Sequence, residues 1–169
     1  LYMEQYDESK SYFEQVLNVS RFRLVEASRY NDLFQGRNEF SSESLWEINY
    51  SVDMQQNIWE NGLGSGIALT CAPPGRGWSN CTPHGVNIAR FGNDPRLKIS
   101  TFAQTDLVAT TEGNMEPAGR SEFNFTGHSF RKYVPEDYSV YSTNRTSGIN
   151  FHMMRLADVY LMYAEVLNY

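Results

Sequence analysis

The chain has 169 residues, a formal charge of -6 from 14 Lys and Arg against 20 Asp and Glu, and 14% aromatic residues. Its longest basic run is Arg131-Lys132, which argues against the positive footprint of a nucleic-acid binder. The length suffices for one compact domain. A start at Leu1 with no signal-like apolar run, and an end within an apolar stretch, lead us to expect that residues 1–169 are a fragment of one larger domain, truncated at both ends.

In residues 7–19, Tyr12, Phe13, Val16 and Leu17 recur at helical spacing, and either Ser11 with Glu14 or Asp7 supplies a start signal. Residues 27–34 read as a second, shorter helix stopped by Gly36, and the two are expected to form an antiparallel hairpin with aromatic contacts. Residues 44–50 alternate Trp46, Ile48 and Tyr50 against Leu45, Glu47 and Asn49, the period of a half-buried strand, and this assigns Trp46 to the core. From 51 to 80 seven Gly and Pro residues break every periodicity. A loop of that length is more often functional or disordered than a plain connection, and it carries Trp59 and Trp78.

Thr82 and Pro83 read as the cap and first residue of a helix that ends at Gly92. Residues 97–102 read as a strand and 103–127 as loop, and Pro135 would end any strand that leads into it. Residues 150–168 contain neither Pro nor Gly and are rich in Ala, Leu, Met and Glu, so the whole stretch is predicted helical. Arg155, Asp158, Glu165 and Asn168 fall on one side and apolar residues cover the rest, so the helix is expected to be buried on most of its circumference. It is not read as a membrane span, because Arg155, Asp158 and Glu165 would each cost roughly 2.5–3.5 kcal/mol near the bilayer centre. Those charges are expected to pair with one another or with a neighbouring helix, since an unpaired buried charge is strongly destabilising.

No nucleophile with its base and no recognisable pair of catalytic carboxylates stands out, and His84, His128 and His152 lack metal-ligand spacing. We therefore expect neither an enzyme nor a metal or cofactor site. Cys71 and Cys81 flank a Pro- and Gly-rich loop: in an oxidising compartment they could close a disulfide, and in a reducing one they would stay thiols. The aromatic rings of the long loop are the candidates for binding. Indole faces pack on the C–H faces of sugars while amides take the hydroxyls, the apolar wall with few polar groups expected of ligand sites. Trp59, with Asn57 and Asn61 beside it, has that local chemistry; Trp78 is the second ring, with packing within its Gly-Trp turn as the alternative role.

The run Arg155-Leu-Ala-Asp-Val-Tyr-Leu-Met-Tyr-Ala-Glu165 resembles the signature helix of the SusD/RagB family of outer-membrane glycan-capture lipoproteins. Collinear pieces support the resemblance: Tyr30-Asn-Asp-Leu-Phe34, Glu43-Ser-Leu-Trp-Glu-Ile48, the Gly77-Trp78 element, the Pro83 helix, Asp94-Pro-Arg-Leu97, and the Gly127 to Tyr133 run. His84 stands where the family usually has Thr, and Asn87 where it usually has Leu. The resemblance implies a mainly α fold, a tetratricopeptide-like helical superhelix with a few short strands and long loops. It also implies a surface-exposed protein held at the outer membrane through an N-terminal lipid absent from this chain. Such a protein would capture oligosaccharides and deliver them to a SusC-like TonB-dependent transporter, with no catalysis and no nucleic acid. The alternative is a helical-repeat interaction scaffold or peptide binder with no glycan site.

Overall fold

Helix α1, Tyr6–Leu17, lies antiparallel to α5, Leu156–Val166. The direction follows from two contacts: the Tyr6 and Tyr169 rings stack at 4.2 Å, and Tyr163 donates its hydroxyl to Glu14 Oε1 at 2.9 Å. The computed structural model describes residues 1, 3–51, 64–110, 113–120, 122, 124–136 and 146–169. Within them stand five α-helices, one 3-10 helix and three two-stranded antiparallel sheets.

The expected hairpin of two consecutive helices is replaced by this long-range pair. Ala27–Phe34 forms a 3-10 helix, and it packs on residues 131–136 instead of α1. Tyr133 N donates to Phe34 O at 3.1 Å, and Gln35 bridges Arg131 O and Glu136 N through its two side-chain ends. Phe34 is buried and meets Tyr30, Tyr133 and His152 edge-on or tilted, which supplies the apolar burial that a 3-10 turn, with its poorer hydrogen bonds, needs to persist.

Residues 150–168 are only partly helical. Phe151–Arg155 is strand β6, paired with β1, Ser44–Ile48, and the helix begins at Leu156. Helix propensity is a weak prior that a partner strand overrides. Asp158 Oδ2 accepts the Arg155 backbone N–H at 2.8 Å and so marks the start of α5. The pairing of β1 with β6 shifts register on both sides of Trp46. Its parity is the reverse of the expected one: Trp46 is 60% exposed, outside the core, while the Glu47 side chain is enclosed. A carboxylate can be buried there because Phe40 N and Asn150 Nδ2 donate to it at 3.0 Å each.

α5 buries Leu156, Val159 and Val166, yet leaves Leu161 71% exposed, with Tyr160 and Leu167 also open. The expectation of burial around most of the helix therefore fails in this chain: among the described residues α1 is the one helix that packs closely on it.

The described part of the long loop, residues 64–80, holds regular structure. α2, Ile67–Cys71, sits in it, and Ser65 pairs with Ser147 in a short bridge. α3, Gly85–Phe91, starts two residues after Pro83 and ends at Gly92, whose φ of 50° a side chain would resist. α4, Arg96–Ser100, replaces most of the strand expected at 97–102, and β2, Thr101–Ala103, follows it to pair with β5, His128–Phe130. The expected loop at 103–127 contains the hairpin of β3, Leu107–Ala109, and β4, Met115–Pro117. A small core of Ala72, Phe102, Val108, Ala118 and Val134 joins these pieces.

Candidate ligand-binding surface

Of the residues singled out for binding, Trp59, Asn57 and Asn61 lie outside the described residues, and so does any contact they make with Trp78. Trp78 stands on a braced turn. Its backbone N–H donates to Leu69 O at 2.7 Å, and Asn80 N and Cys81 N both donate to Thr70 O. These bonds tie residues 78–81 to the end of α2. Gly77 is required by space: a Cβ there would meet Leu69 O at 2.4 Å and the Ala72 Cβ at 2.8 Å. Ser79, buried at φ 53°, completes the turn. The result is an indole held on rigid backbone with 42% of the residue exposed.

Cys71 and Cys81 are free thiols, the first half-buried and the second exposed. Burial pushes the Cys71 thiol up, so it is a poor nucleophile at neutral pH. The signature residues take structural roles. Arg155 Nη1 donates to Glu43 Oε1 at 3.0 Å, and Glu43 also accepts from Val25 N at 2.9 Å through Oε2 and from Leu156 N through its backbone oxygen. Asp158 caps the helix as described, while Glu165 is exposed near the end of α5.

Next to this seam, His152 Nε2 lies 3.1 Å from Glu47 Oε1, both side chains enclosed, but neither ring nitrogen has a hydrogen bond in good geometry. Burial holds the His152 imidazole below its ordinary range against the pull of Glu47, so the ring is neutral at pH 7. Glu39, whose carboxylate accepts from Asn150 N at 2.9 Å, is raised by burial, partly offset by that bond.

Two concave surfaces flank the β2/β5 pair. One, of about 220 Å³, opens beside the small core and is lined by Arg76, Phe102, Met115 and Arg131. Its buried Arg76 is held by carbonyls, donating to Ala109 O at 2.6 Å and Val108 O at 2.7 Å, which clamps β3 to the loop after α2. The other is an open groove of about 540 Å³ between α3 and α4 on one side and β5 on the other. Its size falls in the range of roughly 300–1,000 Å³ common for ligand clefts. Pro83, Ile88, Phe91 and Phe130 supply its apolar wall, and His84 and Asn87 its neutral polar groups. His84 also caps α3: Nδ1 accepts from Val86 N at 3.3 Å, the service a Thr would give, which leaves Nε2 as the protonated nitrogen of the neutral ring. This groove escaped the sequence reading because its wall is assembled from residues 83–96 and 130–132, which no local period connects.

The SusD family model matches residues 42–169, three-quarters of the chain. The chain belongs to the SusD family. No curated protein matches it. Among solved structures, this SusD family member is similar to surface glycan-binding protein A from Bacteroides thetaiotaomicron in complex with laminarihexaose, at 21% identity and a TM-score of 0.74 over 97% of this chain and 39% of that one. It is also similar to a laminarin-binding SusD-like protein, at 20% identity and a TM-score of 0.74 over 98% of this chain and 40% of that one. A third, a crystal structure with xylogluco-oligosaccharide, matches at 19% identity and a TM-score of 0.72 over 96% and 33%. The chain thus spans about two-fifths of the length of the first of these relatives, and the likeness establishes the fold. Among the described residues no helix is long and apolar enough to cross a membrane, and no group of acidic, His and Cys side chains could hold a metal.

Proposed function

We propose that this SusD family member captures oligosaccharides at the cell surface without cleaving them and delivers them to a SusC-like TonB-dependent transporter. On this reading the protein is lipid-anchored at the outer membrane, and residues 1–169 form part of one larger unit whose helices, α1 with α5 among them, build a tetratricopeptide-like superhelix. The observation that carries the binding role is the Trp78 indole, exposed yet mounted on a turn that three backbone hydrogen bonds and the tight Gly77 packing hold in place. A stacking ring gains most when ordering it costs little, because immobilisation on binding is then already complete. Names of the solved relatives, which include a laminarihexaose complex and a laminarin binder, support the same class of ligand.

Affinity electrophoresis of the full-length protein against a panel of polysaccharides tests the reading. Retardation by at least one glycan, with no reducing sugar released over time, is expected. A protein-interaction scaffold is the second reading, favoured by the exposed apolar face of α5 at Tyr160, Leu161 and Leu167. Tight peptide binding with no retardation on any glycan would decide for it.

A further inference from the structure

The chain carries a formal charge of -6, yet the groove between α3 and β5 gathers Arg90, Arg96 and Lys132 against a single carboxylate, Asp94. Asp94 and Arg96 neutralise each other. Arg96 donates Nε to both carboxylate oxygens at 3.0 and 2.9 Å, Nη2 to Oδ2 at 2.5 Å, and its backbone N–H to Oδ1 at 2.8 Å. These bonds hold the Asp94 carboxyl down at about 2, so the pair stays closed at any physiological pH.

Two cations remain. Lys132 Nζ donates to the Tyr30 hydroxyl at 2.9 Å and sits 4.1 Å from the centre of the Phe34 ring. A phenol and a ring face fix an ammonium in place without cancelling its charge, and two of its three hydrogens are left for another acceptor. Arg90 is exposed on α3 and has no carboxylate partner among the described residues. In the neighbouring cavity beside the small core the cations are answered: Arg131 by Asp106 and Glu136, and Arg76 by backbone carbonyls.

Resting on the glycan reading above, we propose that this groove binds an acidic sugar unit, one bearing a carboxylate or a sulfate, with Lys132 and Arg90 taking the anion and the Phe91 and Phe130 rings facing the sugar. Asn87 and the Nε2–H of His84 are the neutral groups within the groove for hydroxyls. An excess of two positive charges over an aromatic floor is of little use to a neutral glucan and would be repelled by none, so the charge selects by attraction alone.

Affinity electrophoresis of the full-length protein with matched probes tests this: polygalacturonate against its methyl-esterified form, dextran sulfate against dextran, and laminarin as a neutral reference. Retardation by at least one acidic probe and less by its uncharged partner is expected, weakening as salt rises. Arg90→Gln and Lys132→Ala should each lower that affinity about tenfold or more. Because Lys132 also packs on Phe34, its variant is scored only if its melting temperature holds; Arg90, exposed and without a described partner, decides otherwise. Retardation by laminarin or dextran alone would overturn the acidic-sugar assignment and leave glycan capture standing. No retardation by any of these probes would overturn the acidic-sugar assignment and leave glycan capture to the wider polysaccharide panel, and acidic binding indifferent to both variants would take the ligand out of this groove.

Discussion

Two polar regions of this SusD family member use the same residue types in opposite ways. Along the seam between β1, β6 and α5, Glu43, Glu47, Asn150, His152 and Arg155 are largely enclosed, and most of their donors and acceptors answer one another. In the α3 groove, Arg90, His84 and Asn87 stand exposed and Lys132 half-buried, with capacity left over. An enclosed polar group left unsatisfied costs about 1–3 kcal/mol of stability, whereas a surface one is free to wait for a ligand. Charged residues in the signature helix therefore identify the family and fix its packing, and the recognition chemistry lies in other elements.

Stability and binding should separate along that line. The largest effect is expected for Glu43→Ala, which strands Arg155 and the Val25 N–H together; breaking a buried pair of this kind costs about 3–5 kcal/mol. Urea unfolding of the variant would show it, and a midpoint near that of the parent would mean the seam is not what holds β1 to α5. Gly77→Ala comes next, at about 1–3 kcal/mol, since the new methyl has nowhere to go against Leu69 O. It should also disturb Trp78 and weaken glycan binding, which couples the brace to the site.

Acid sharpens the contrast further. His152 sits below its ordinary range because it is buried, with Glu47 and Glu43 pulling the other way and Arg155 adding to the depression. The unfolded chain, titrating near pH ~6.5, takes up the proton before the folded one does. Stability is therefore complete above that value and falls as the pH drops below it. Urea midpoints measured from pH 7.5 to 5 should decline in the parent and less in His152→Gln; parallel profiles would assign the acid sensitivity to other groups.

The smallest stability changes are expected for the two tryptophans the structure leaves in the open. Trp46→Ala and Trp78→Ala should each cost under about 1 kcal/mol. Of the two, Trp78→Ala alone should reduce retardation on a bound glycan, by roughly three- to tenfold, the scale of one ring contact. Equal loss in both would place the ligand on the exposed face of the β1/β6 pair instead.

Much was legible in the sequence. Collinear motifs from Tyr30 to Glu165 identified the family, and the spacing of α1 and the stop at Gly92 followed from local rules. These features depend on residues a few positions apart, where backbone sterics and capping act whatever the rest of the chain does. Arg155, by contrast, pairs with Glu43 beside β1 and not with another signature charge or a neighbouring helix. The errors share a different origin. Phe151 to Arg155 has helical composition but lies beside β1, and Trp46 turns outward because the register shifts at its position. Glu47 turns inward, where Asn150, just before the strand opposite, donates to it. Each of these outcomes depends on a partner roughly a hundred residues away, which the residues themselves do not name. The α3 groove is of the same kind. Its cations and the local pair of Asp94 with Arg96 are plain in the sequence, but that Lys132 comes to rest over Phe34 with its charge unopposed was decided by the tertiary packing that brought residues 30–34, 83–96 and 130–132 together.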